Sequence, residues 1–184
     1  MKIILIVLAI LIIALIAFYA YYGGFKKIHV SISESGGEIL IYEKIEGDYK
    51  QSGVIMDKIY NSLLNEDKIE TFKGFGIYYD NPRKVEKSKL RSEAGCILEK
   101  KDIDKLPNLE KKYTVRTFPE KKYIITEFPY RGKISIFFSI MKVYPALNKF
   151  AKQNDFNEES AVMDIYDVPN KKVLYRKELK EDLL

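Results

Sequence analysis

The stretch that decides the fold is Gly76-Ile-Tyr-Tyr-Asp-Asn-Pro82, continued by Lys89-Leu-Arg-Ser-Glu-Ala-Gly95. An apolar run, Phe72 to Tyr79, ends in two adjacent tyrosines and reads as a strand. Asp80-Asn81-Pro82 stops it, because Asp and Asn favour local turns and Pro cannot donate a ladder hydrogen bond. A polar loop follows, and Leu90 to Leu98 reads as the returning strand.

Outward from this hairpin the same order of elements occurs twice. Lys27 to Ile32 is a short strand, Ser33–Gly37 a turn, and Glu38 to Glu46 an alternating strand that ends at Gly47. Gln51 to Asn65 reads as a helix, with Val54, Ile55, Ile59 and Leu63 near helical spacing. In the second half, Lys112 to Phe118 and Tyr123 to Phe128 are strands, and Gly132 takes the place of Gly47. Ser135 to Ala151 is a helix carrying Pro145, which removes one backbone hydrogen bond. Ser160 to Asp167 and Lys172 to Lys177 are strands joined by a turn at Val168-Pro-Asn170. Aligning Gly47 with Gly132 gives strand, glycine, helix, strand, strand in both halves. The fold class is therefore α+β, a tandem duplication whose sheets join and leave a cleft between the repeats.

One apolar helix precedes this. Ile3 to Tyr22 carries no charge, and about 20 residues at roughly 1.5 Å each span a bilayer's hydrocarbon core. Tyr19, Tyr21 and Tyr22 stand where an interfacial aromatic belt would, Gly23-Gly24 ends the helix, and Lys26-Lys27 marks the water side. A cleaved signal peptide would have a shorter apolar region with a small-x-small site, which Ala17-Phe-Tyr-Ala20 does not offer. Residues 1–24 are thus read as an uncleaved membrane anchor and 25–184 as one domain, without a linker. The flanking charges nearly tie; the more basic downstream part tilts the domain toward the cytoplasm.

Composition excludes several classes. The 31 basic side chains against 26 acidic ones give a net charge of +5 over 184 residues, a mixed solvated surface and not a nucleic-acid stripe. Lysine doublets such as Lys100-Lys101 and Lys171-Lys172 solubilise turns and edges. Cys96, the only cysteine, stands in an apolar run and reads as a buried inert thiol. His29 is the only histidine, so neither a triad nor a histidine-rich metal site is available. Gly74-Phe-Gly76 lacks the following helix of a dinucleotide fingerprint. No cofactor, metal or nucleic-acid partner is expected.

The string Gly76 to Pro82 with the following Lys89-Leu-Arg91 resembles the GyrI-like small-molecule-binding family. It resembles that family's membrane-anchored branch, which includes a testis-expressed ER-phagy receptor of animals. The resemblance covers roughly Ile28 to Tyr175. It implies an effector-binding domain in which an acidic residue and aromatic rings in the cleft take lipophilic, often cationic, compounds. Physically, a carboxylate in an apolar pocket attracts a cation, and ring faces add cation–π attraction.

Family members carry an acidic residue followed two places later by tyrosine on the strand after the second helix. Here that strand reads Met163-Asp-Ile-Tyr166, so Asp164 and Tyr166 project from one face. The family's usual residue is glutamate. Glu127, in Ile125-Thr-Glu-Phe128, is the second buried-acid candidate, and either Tyr78 or Tyr79 supplies the other wall, since they face opposite sides of their strand. Each has a plainer reading as packing, turn or solvated residue, and Arg91 is expected to pair with a nearby carboxylate.

The expectation is a membrane-anchored domain that binds a small, largely apolar, neutral or cationic ligand without catalysis. Two alternatives remain. One is a membrane-tethered interaction or scaffold domain with a protein partner; the receptor role is not carried over, as no long disordered tail follows Leu184. The other is a hydrolase of small electrophiles, as in some relatives that use a pocket glutamate to activate water.

Overall fold

In a computed structural model, residues 2–180 are described. Helix α1 covers Lys2–Tyr21 and buries none of its side chains. It ends in a turn in which Gly23 adopts a positive φ of 86°, with Gly23 N donating to Ala20 O at 3.1 Å and Gly24 N to Tyr19 O at 2.8 Å. This is the left-handed stop that satisfies a helix's last carbonyls.

Eight strands follow: β1 Ser31–Ser35, β2 Ile39–Glu46, β3 Lys73–Tyr78, β4 Arg91–Ile97, β5 Thr114–Thr117, β6 Lys121–Pro129, β7 Val162–Asp167 and β8 Lys172–Glu178. Helix α2 covers Gln51–Asn65, α3 is a single turn at Leu106–Leu109, and α4 covers Lys133–Gln153. The strands form one antiparallel sheet in the order β1-β6-β8-β7-β3-β4-β2-β5. The two repeats meet at its centre, where β3 pairs with β7. Gly47 and Gly132 take the same place in each repeat, between strand and helix, with positive φ values of 125° and 82°. A side chain there is strained, which is why both positions are glycine.

The lead strands are exchanged. β1 pairs with β6 of the second repeat, and β5 with β2 of the first. Yet β1 and β2, only three residues apart in sequence, lie first and seventh in the strand order of eight. The sheet must curl until its edges approach. The two links hydrogen-bond where they meet, Gly37 N to Phe118 O at 2.9 Å and Phe118 N to Glu38 O at 2.7 Å. The inner face closes around Leu40, Tyr42, Phe75, Ile77, Met163 and Ile165, with Phe118 and Tyr123 stacked across the seam at 5.4 Å.

The outer face carries the helices. α2 buries Ile59 and Leu63 against Ile41 and Cys96, and α4 buries Val143, Leu147 and Ala151 against Ile124, Val173 and Tyr175. Between them lies the junction of β3 and β7.

The structure differs from the sequence reading at three places. Ser33–Ser35 continue β1, because pairing with Tyr123, Lys122 and Lys121 gives these polar residues backbone partners on the sheet edge. The strand begins at Ser31 instead of Lys27. Lys100–Leu109, unassigned from sequence, forms 3-10 and α turns that bury Leu109 under α2.

Candidate functional site

The site is built on the central strands. Asp164 on β7 is paired across the sheet with Gly76 on β3 and Tyr175 on β8. Residues in register share a face, so Gly74, Gly76 and Tyr78 point to the same side as Asp164 and Tyr166. That side is the helix-bearing one, since Tyr144 of α4 reaches Asp164: its hydroxyl donates to Oδ1 and Oδ2, each at 3.1 Å. The glycines of the opening stretch leave the floor low, and the Tyr78 ring folds back over Gly76.

Four tyrosines therefore surround one carboxyl. Tyr144 and Tyr175 meet edge to face at 6.1 Å, and Tyr166 meets Tyr130 at 6.0 Å. Tyr175 donates to Ser139 Oγ at 2.6 Å. The Asp164 charge opposes ionisation of Tyr78, Tyr144, Tyr166 and Tyr175 alike, which places all four within electrostatic reach of it; burial is the larger cause of their raised pKa values.

Asp164 is only 3% exposed. Burial raises its pKa well above the ordinary carboxylate range, and the Tyr144 hydrogen bond offsets part of that. Among the described residues it has no cationic partner. The other strongly buried acids of the described residues differ in this respect or in their bonding: Glu93 pairs with Arg116 at 2.6 Å, Asp102 with Lys105 at 2.7 Å, and Asp167 accepts from Asn170 at 2.9 Å. Two buried hydroxyls, Ser52 Oγ on α2 and Ser92 Oγ on β4 opposite Tyr78, also lack hydrogen-bond partners among the described residues.

The turn after Tyr79 fixes the orientation of Tyr78. Asp80 accepts two bonds from the Arg91 guanidinium, at 2.7 and 3.0 Å, and one from the Arg91 backbone N–H at 2.7 Å. Tyr49 donates to the Asp80 carbonyl at 2.8 Å, accepts from its N–H at 3.0 Å, and packs its ring 4.8 Å from that of Tyr78.

Asp164, Tyr166 and Tyr78 are thus brought together, and two of the five residues singled out from sequence are not. Tyr79 points to the inner face, where Arg116 donates to its hydroxyl at 3.5 Å. Glu127 is not a buried acid. Thr126 is the β6 residue in register with Tyr175, so Glu127, one residue on, faces the other way; it is exposed and accepts from Lys172 Nζ at 2.8 Å. It lines an open hollow of about 480 Å³ beside the end of α1. Cys96 is buried, its thiol pushed up to about 11 by burial, and so stays protonated at neutral pH.

Sequence reading did not single out Tyr144 and Tyr175. Tyr175 is found only through its register with Asp164. Tyr144 flanks the buried stripe Ser139–Val143–Leu147 of α4, and that stripe was the signal available.

The fold is that of GyrI-like effector-binding domains. It is similar to SAV2435 bound to tetraphenylphosphonium (TM-score 0.52, 12% identity, 83% of this chain and 94% of that one). It is also similar to the C-terminal domain of EcmrR (TM-score 0.56, 8% identity, 84% and 98%). EcmrR in its complex with DNA matches over 92% of this chain and 65% of that one, with a TM-score of 0.58 and 10% identity. In sequence, the chain is similar to testis-expressed protein 264 of Homo sapiens, 32% identical over 87 residues, and to its Mus musculus homolog to the same extent. The match takes in 44% of this chain and spans only 28% of that relative's length. No sequence-family profile matches the chain.

Proposed function

We propose that the protein is a single-pass membrane protein whose GyrI-like domain, residues 25–184, binds a small, largely apolar cation between α2 and α4. The observation that carries this reading is Asp164: a carboxyl buried to 3% exposure, ringed by tyrosines and without a cationic partner among the described residues. A bound cation would supply the missing charge, and ring faces would add cation–π attraction. The tetraphenylphosphonium held by SAV2435 is a ligand of that chemistry.

The tyrosines now fill the space above Asp164, so entry requires one of them to turn out. Tyr144 is suited to this, because Pro145 follows it within α4 and cannot donate to the carbonyl one turn back. The site is read as binding without chemistry: burial disfavours the Asp164 carboxylate, the form a general base needs. Helix α1 is long and apolar enough to cross a membrane, with none of its side chains buried. The more basic sequence after the helix supports reading the domain as cytoplasmic.

The test is a thermal-shift series on the full chain in detergent, with tetraphenylphosphonium as probe. Stabilisation that is lost in Asp164→Asn supports the reading. An equal shift in wild type and variant, or none in either, refutes it.

A further inference from the structure

The first two turns of α4 are apolar on the outside. Ser135, Ser139 and Val143 are buried toward the sheet. On the opposite side, Ile134 is 41% exposed, Phe137 61%, Ile140 52% and Met141 60%. A helix in contact with water on its outer face would carry charge there. Among the described residues outside α1, no other helix carries more than one large apolar side chain this exposed.

What lies beside this face is the end of α1. Tyr19, in the last turn of that helix, packs edge to face on Phe138 of α4 at 5.3 Å and on Phe25 at 4.8 Å; Phe25 is itself exposed. Lys142 donates to the carbonyls of Gly23 and Gly24. Arg131, just before α4, donates to Tyr21 O at 2.6 Å and lies 4.4 Å over the Tyr21 ring. These cations complete the carbonyl end of α1 as a C-cap does. They also hold the start of α4 at the depth of the Tyr19–Tyr22 belt. Basic side chains flank the two helices: Lys26 and Lys27 after α1, and Arg131 and Lys133 at the start of α4, are exposed.

We propose that the first half of α4 is a membrane-surface element: Ile134, Phe137, Ile140 and Met141 lie in the bilayer interface, with the flanking lysines and Arg131 against anionic headgroups. The proposal rests on α1 spanning the bilayer. The occupant is lipid because the last turn of a bilayer-length apolar helix packs beside this face, through Tyr19 on Phe138. An apolar helix face flanked by basic side chains is what an interfacial helix presents, and basic side chains at this depth gain from anionic lipid. The consequence for the site is direct. Tyr144 lies one turn beyond Ile140 on the same helix, so the cleft over Asp164 would open close to the acyl–headgroup boundary, where lipophilic cations concentrate.

The experiment uses the full chain in nanodiscs of phosphatidylcholine and phosphatidylserine, in a Cys96→Ala background. Nitroxide labels are placed through Phe137→Cys and Met141→Cys, with Leu11→Cys inside α1 and Val54→Cys on the exposed side of α2 as references. Relaxation by oxygen, which concentrates in lipid, is compared with relaxation by a water-soluble nickel chelate. The expected result is that labels at 137 and 141 respond more to oxygen, as at 11, while 54 responds more to nickel. If 11 reports lipid but 137 and 141 follow 54, the face is in water and the proposal fails while the anchor stands. If 137 and 141 are shielded from both reagents, protein covers the face, and the proposal again fails. If 11 itself responds to nickel, α1 does not span, and anchor and proposal fall together.

Discussion

Tyr144 of α4 donates its hydroxyl to both carboxyl oxygens of Asp164 at 3.1 Å, and it is the only group tied by a hydrogen bond to that carboxyl among the described residues. A helix from one side and a central strand from the other are thereby joined at a group that burial disfavours as an anion. A buried carboxyl without a cationic partner adds little to the stability of a fold.

Asp164→Asn should therefore stabilise the unliganded protein at neutral pH, by on the order of 1–2 kcal/mol. The sign follows from the raised folded-state pKa. Such a carboxyl favours folding fully only below its unfolded pKa of about 3.9, and that contribution is lost as pH rises toward the folded value. The difference in melting temperature between variant and wild type should widen from pH 4 to pH 8. A constant difference would mean that Asp164 titrates normally.

Lys177 gives the opposite slope from a basic group. It is buried, donates to Glu158 O at 2.7 Å and Ser160 O at 3.0 Å, and burial lowers its pKa to about 8. Below that value the folded state carries a desolvated charge. Stability should rise from about pH 8 until the tyrosines of the unfolded chain begin to ionise near pH 10. Denaturation curves across this window should show the rise in wild type and lose it in Lys177→Met.

The turn at Asp80 separates a backbone bond from an ion pair. Asp80→Ala leaves the Arg91 N–H without its 2.7 Å acceptor, a loss of about 1 kcal/mol, or roughly 2–4 °C in melting temperature for a chain of this size. Arg91→Ala removes only the exposed guanidinium and keeps the backbone bond, so its effect should be smaller. Equal losses would show that the ion pair matters more than the turn.

Gly95 is enclosed on both sides, paired with Tyr42 of β2 and Phe75 of β3. A Cβ there would stand 1.9 Å from Ile41 O and 2.8 Å from Tyr42 Cα. These are backbone atoms in mid-sheet, so Gly95→Ala should cost about 3 kcal/mol. A melting temperature within a degree or two of wild type would show that β2 and β4 can separate at little cost.

The repeat was legible because its punctuation is chemical. Gly47 and Gly132 are needed for positive φ, and helix α2 at Gln51–Asn65 follows from the spacing of its apolar residues. The exchange of β1 and β5 was not legible: strand pairing between halves depends on the curl of the sheet, and Ser31–Ser35 is too polar to announce an edge strand. At the site, the two-residue spacing of Asp164 and Tyr166 correctly put them on one face. Glu127 could not be placed that way, since which face of β6 meets which face of β7 is set by register through β8. Tyr144 required knowing which helix covers which strand.

The central claim is that Asp164 is the anionic partner of a bound lipophilic cation. It is tested most directly by equilibrium titration of tetraphenylphosphonium into the full chain in detergent, with Asp164→Asn measured in parallel so that uptake by the micelle cancels. Ionised Asp164 is the binding form, so the claim predicts saturable binding by wild type that tightens as pH rises, with at least tenfold weaker binding by the variant, about 1.4 kcal/mol. Binding of equal strength in both proteins, or no saturable binding by wild type at any pH, would contradict it.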